Sequence, residues 1–236
     1  MRTHSTAAGS AAALIALGLA LTGCGSDSKT EAISSPSSSS SSTASSSAAT
    51  SSAAPTATQA GTHPTIADYI KENGITETPV KRGDPGTPTV DLPTPQGWED
   101  AGPKTPPGAY GAIVFADPSV AADPPTIVAV MSKLTGNVDP AQIFKFAPGE
   151  LQNLPGYESA GEGSDAKLAG FDAYQIGATY IKDGTKKLIA QKTVVIPAAD
   201  KDGIFVLQLN ASGTEDQINP LMDATSKIDE QTKITP

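Results

Sequence analysis

Apolar positions along the chain fall into two regimes, separated by a stretch that has almost none. Residues 11–21 form a nearly continuous apolar run, AAALIALGLAL, too short to cross a bilayer as a finished helix. From residue 63 onward the pattern turns periodic. Ile66, Tyr69 and Ile70 recur at helical spacing behind Thr65, whose hydroxyl can cap a turn three residues ahead of Asp68, and Gly74 ends the run, which predicts a short amphipathic helix. Between residues 79 and 125 there are 11 prolines in 47 positions, so this stretch reads as turns and extended loop, with 89–92 able to pair only at a sheet edge. Residues 110–115 and 126–134 are β-branched and apolar. The second run, TIVAVMSKL, is continuous enough to predict a central strand covered on both faces.

Asp139-Pro140 then supplies a cap with proline at the first helical position, and Gln142 stands where a capping box would be completed. Ile143, Ala147, Leu151 and Leu154 give this helix one apolar face, which Pro148-Gly149 is expected to break or kink. Strands follow at 157–160, 171–181, 186–196 and 204–211. Asp183-Gly184 and Asp202-Gly203 suit tight hairpins, because aspartate tolerates and glycine favours a left-handed backbone. In the strand from Phe171, alternation puts Tyr174, Ile176, Ala178 and Tyr180 on one face and Gln175, Gly177 and Thr179 on the other. Ile218, Leu221, Met222, Thr225 and Ile228 predict a last long helix packed on the sheet. The order helix, strands, helix, strands, helix, with links too short for parallel crossovers, predicts an α+β fold: an antiparallel sheet of about six strands covered by helices.

The 236 residues include 16 basic and 25 acidic ones, a net charge of −9, which argues against a nucleic-acid partner. The single cysteine excludes an intramolecular disulfide and a four-thiolate metal site. The two histidines, His4 and His63, both precede the first predicted helix. No cofactor, no metal and no catalytic residue is therefore expected. Other motifs fit bland structure better. Residues 161–166 (GEGSDA) satisfy a relaxed dinucleotide fingerprint without its strand-to-helix context, and Ser164 and Lys167 have a Ser-x-x-Lys spacing in what reads as a mobile glycine-rich loop. Asp200, Asp202 and Gly203 lack the spacing and closing glutamate of a calcium loop and read as a turn.

Composition divides the chain at two points. Residues 1–23 have the layout of a secretory signal peptide and close on Leu21-Thr22-Gly23 before Cys24, which resembles the lipobox of bacterial lipoproteins. That resemblance implies a diacylglyceryl group on the Cys24 thiol, with small residues before it giving a peptidase access to the bond, and so a membrane partner reached through a lipid anchor. Residues 25–62 hold 15 serines and six threonines and no aromatic residue, so they cannot bury a core and form, with Cys24, a tether over 24–62 with a mean span of about 35 Å. Residues 63–236 are long enough for one globular domain.

Within that domain the blocks IADYIKENGITETPV (66–80), GDPGTPTVDLP (83–93), PPTIVAVMSKLTG (124–136), FAPGELQNLPG (146–156), QKTVVIP (191–197) and FVLQLNA (205–211) resemble the LpqN/LpqT family of mycobacterial cell-envelope lipoproteins. The resemblance implies a Mog1/PsbP-like sandwich of antiparallel sheet and helices. It also implies a non-enzymatic role at the extracytoplasmic face of the cell membrane, linked to mycolic lipids and their export machinery. It transfers no ligand contacts.

Residue chemistry adds one candidate site. Trp98 lies in the proline-rich stretch, and Phe144 and Phe146 fall off the helix face set by Ile143 and Ala147. They are expected to be satellite core; as a functional alternative, they line an apolar groove between that helix and the sheet, roofed by the proline-rich loop, that accepts acyl chains. Two function classes follow. One is a lipid-binding or export-accessory lipoprotein acting beside a lipid-export transporter, and the other is an interaction module that docks an envelope or host protein. An apolar cavity favours the first; a filled core with one exposed patch favours the second.

Overall fold

A computed structural model describes residues 63–236. The signal segment, the lipobox residues Leu21, Thr22 and Gly23, Cys24 and the tether lie outside the described residues.

The first helix, α1 (Ile66–Glu72), opens with the expected box: the Thr65 hydroxyl accepts the Asp68 N–H, and the Asp68 carboxylate accepts the Thr65 N–H. β1 (Thr76–Val80), β2 (Thr89–Asp91) and β3 (Trp98–Asp100) are short strands in the proline-rich region, followed by β4 (Gly111–Phe115) and the long β5 (Thr126–Thr135). α2 (Pro140–Gln152) is capped by Asp139, whose carboxylate accepts the Ala141 N–H. Then come β6 (Glu158–Ser159), β7 (Ser164–Leu168), β8 (Phe171–Lys182), β9 (Thr185–Pro197), β10 (Ile204–Thr214), α3 (Ile218–Gln231) and β11 (Lys233–Thr235).

The main sheet has nine strands rather than about six, in the order β3-β4-β5-β10-β9-β8-β6, with β1 added on β5 and β7 on β8, and every pairing is antiparallel. The extra strands lie at the edges. β4 and β1 share the outer edge of β5, and β6 and β7 share that of β8, so short segments placed end to end cover backbone that would otherwise be open. β2 pairs apart from this sheet, with β11, in agreement with the edge role expected of 89–92.

α1 and α2 cover one face and α3 the other, the sandwich that the family resemblance implies. Leu134, Val195, Ile204 and Val206 meet Ile66, Tyr69, Ile143 and Ala147 on the first face. Ile127, Met131, Val194, Phe205 and Leu207 meet Leu221, Ala224 and Ile228 on the second. β5 alternates buried with half-buried positions, so its continuous apolar run is dry mainly on the α3 side.

Three expectations change. α2 passes through Pro148 without a break, and Gly149 serves a close approach instead: a Cβ there would stand 2.0 Å from the Pro64 carbonyl oxygen. Asn153 fixes the same crossing, accepting the His63 N–H (3.0 Å) and donating to the His63 carbonyl (2.7 Å). The supposed loop around Ser164 and Lys167 is β7, where Ser164 accepts from Gln175 and Lys167 pairs with exposed Asp172. In α3 the sheet-facing stripe is Leu221, Ala224 and Ile228, whereas Ile218 and Met222, expected to face the sheet, point outward.

Candidate functional site

A sheet face normally fills the space under a helix with branched side chains. On the α3 side of β8, β9 and β10 it does not. Gly177 stands opposite Ala190 and Ala190 opposite Ala211, so a cross-strand row of one hydrogen and two methyl groups runs over three adjacent strands. α3 packs over β10 and buries Ala211, but the row beyond it is left open: Gly177 is half-buried and Ala190 is exposed although β9 has a neighbour on each side. A cleft of about 270 Å³ results. Its floor is Gly177, Ala190 and Ala211 with Ile127 beyond them, and one wall is Thr225, Ile228 and Asp229 of α3.

The other wall is residues 160–162, between β6 and β7. Ala160 donates its N–H to the Gly177 carbonyl (3.0 Å), and the Ser159 hydroxyl both donates to the Gly161 carbonyl and accepts the Gly161 N–H. These bonds hold the segment upright beside the floor. Gln175, Lys192 and Leu209 line the next cross-strand row, where Lys192 reaches across to Asp229 at 2.5 Å. Apolar lining with a few polar groups at one end is the usual make-up of a small-molecule site.

The candidate aromatics lie elsewhere and do not share a groove. Trp98 is buried on the α3 side at the far edge of the sheet, its ring 5.6 Å from that of Phe115. Phe144 and Phe146 are half-buried on the opposite side, where Phe146 stacks on Tyr69 at 5.6 Å. α2 seats Ile143 and Ala147 directly on the sheet, so the groove of the functional alternative is filled, apart from a pocket of about 80 Å³ beside Glu150 and Glu77, and the three aromatics pack in or against the core as the first expectation had it. The residues that shape the real cleft were missed by sequence reasoning; the available signal was Gly177 in the interior of an otherwise well-formed strand.

Glu150 is an acid largely enclosed by α2 and the sheet. Burial pushes its carboxyl above the ordinary range, hydrogen bonds from Gln208 (2.9 Å) and Gln191 (3.1 Å) pull it back, and Glu77 adds to the rise. The Asp200-Asp202 segment is the expected turn, with Asp200 accepting the Asp202 N–H and pairing with Lys133. Among the described residues no three His, Cys, Asp or Glu side chains converge as metal ligands, and no helix is long and apolar enough to cross a membrane.

Comparison with known proteins places this architecture. Residues 62–235 match the Lpp-LpqN family model, described as probable lipoprotein LpqN. The chain belongs to the LpqN lipoprotein family. Lipoprotein LpqN of Mycobacterium tuberculosis (strain ATCC 25618 / H37Rv) is 55% identical over 234 residues, 99% of each chain. A crystal structure of LpqN, described as involved in cell envelope biogenesis of that organism, aligns with a TM-score of 0.70 at 54% identity over 75% of this chain and 100% of the crystallised one. The whole of the solved LpqN chain is thus matched by three quarters of this one, close to the share that residues 63–236 make up. A mutant of the protein Mog1 aligns at 14% identity over 66% of this chain and 90% of its own, with a TM-score of 0.37.

Proposed function

We propose that this LpqN-family lipoprotein works without catalysis, holding one alkyl chain of an envelope lipid in the cleft between α3 and the sheet while anchored to the extracytoplasmic face of the membrane through lipidated Cys24. The observation that carries the reading is the small-residue row Gly177, Ala190 and Ala211, which runs from under α3 to an exposed Ala190 and forms the cleft floor. A methylene group takes up about the ~30 Å³ that a water occupies in the liquid, so the cleft holds roughly nine of them, one chain and not two. Shielding that length from water offsets about 0.8 kcal/mol per methylene of the cost of drawing a lipid tail out of a bilayer, so a tail can pass through the cleft to a protein of the export machinery.

The experiment titrates residues 63–236 with n-decylphosphocholine below its critical micelle concentration by calorimetry. Saturable one-to-one binding is expected. Ala190→Leu, which adds bulk at an exposed position on the floor, should weaken it about tenfold or more with the melting temperature unchanged. A flat titration of the unsubstituted domain, or full affinity in Ala190→Leu, refutes the reading and favours a module that docks proteins.

A further inference from the structure

Two large apolar side chains on α3 are left in water: Ile218 is 43% exposed and Met222 61%. Their position along the helix gives them a purpose. Residues 218, 222, 225 and 229 are spaced by four, three and four, so they form one edge of α3. Thr225 and Asp229, the far half of that edge, are the wall of the cleft. The exposed residues continue the wall beyond the point where the cleft ends.

The sheet continues in the same direction. One step along the register from Gly177, Ala190 and Ala211 the strands present Thr179, Leu188 and Gly213 on the same face, with Thr179 and Leu188 half-buried. Ala190 is exposed at the junction, and Leu188 follows it on the same face of β9. The opposite end is closed by the Lys192–Asp229 pair. On the Thr179 side the row ends on the Glu158 carboxylate, which accepts from the Thr179 hydroxyl and pairs with Lys186, itself 3.6 Å from Glu215, so the apolar part of the way out for a longer chain is the strip at Leu188 along the α3 edge.

We infer that Ile218 and Met222, with Leu188 beneath them, are the second half of the lipid site and cover the part of an alkyl chain that the cleft cannot hold. This inference rests on the reading of the cleft given above. It assigns a length preference: affinity keeps rising after the cleft is full, because the further methylenes lie on this edge instead of in water.

The test compares n-decyl- and n-hexadecylphosphocholine, each below its critical micelle concentration, on residues 63–236 and on the double variant Ile218→Ser/Met222→Ser. Both replaced side chains are exposed, so the fold is expected to hold, and a melting curve checks it. The unsubstituted domain should bind the longer chain about tenfold or more tighter than the shorter one, and the double variant should lose that advantage while keeping its affinity for the decyl chain within about twofold. An advantage that survives in the double variant, or equal affinities for the two chains in the unsubstituted domain, overturns the inference and leaves the cleft reading standing; the edge is then free for another occupant such as a protein. Failure of the decyl chain to bind the unsubstituted domain removes both.

Discussion

The Lys192 ammonium lies 2.5 Å from an Asp229 carboxylate oxygen, tying the central strand of the cleft floor to the helix that walls it. Lys192 is only 12% exposed and Asp229 43%, so the pair falls between a surface ion pair and a buried one. Asp229→Asn leaves an enclosed ammonium without its counter-charge and should cost about 1–2 kcal/mol. Lys192→Met/Asp229→Leu, which removes both charges, should regain most of that. Thermal melts of the three proteins check it, and an equal loss in the double variant would show that the cost comes from losing the pair itself and not from the unpaired ammonium.

Gly149 makes an unusual prediction for a helix interior. Replacing an exposed helical glycine with alanine ordinarily gains up to about 1 kcal/mol. Here the new methyl group would enter the Pro64 carbonyl, and either α2 or the segment at 63–65 must move. Gly149→Ala is therefore expected to destabilise by about 1–3 kcal/mol, read from chemical denaturation, with Asn153→Ala weakening the same crossing. A stabilised alanine variant would mean that the crossing is loose.

Glu150 and Asp68 respond to pH with opposite signs. The folded protein holds the Glu150 proton more tightly than the unfolded chain does, so this group penalises stability at neutral pH and the penalty fades as pH falls toward the ordinary 4.5. Asp68 is held below 3.8 by the N–H and hydroxyl of Thr65, so its contribution is present above that value and is lost as pH drops through the lowered one. The amide oxygen of Glu150→Gln can accept the same two N–H groups. That variant should melt about 2–4 °C higher at pH 7, the gap closing toward pH 4.5. A loss at pH 7 would contradict the assignment.

Cys24→Ala tests the anchor. With no acyl chain attached, the protein should leave the membrane fraction for the soluble one, whereas the unsubstituted protein should stay membrane-bound through high-salt washes, because two or more chains give anchoring that one chain does not. Fractionation of the producing cells followed by immunoblotting reads this directly.

Local chemistry in the sequence predicted local structure well. Thr65 and Asp68 form the expected box, Asp139 caps α2, and Asp183 and Gly184 both adopt the left-handed backbone their hairpin needs. What stayed hidden depended on tertiary placement. β1 and β7 read as loop because edge strands are short and polar and tolerate proline, as Pro79 does opposite Ser132. Ile218 and Met222 fit the same helical period as the buried stripe, and periodicity cannot tell a residue under a helix from one on its flank. The cleft is defined by side chains that are missing from three strands, so it could be found only once Gly177, Ala190 and Ala211 were in register.

The pairing of β11 with β2 also constrains how the protein is made. A chain made from its N-terminus presents residues 89–91 long before 233–235, so the proline-rich stretch waits without its partner strand until nearly all of the domain has emerged. Folding should thus finish with a late step, and a bulky tag fused directly after residue 236 would obstruct that last closure more than a change ahead of residue 63 would.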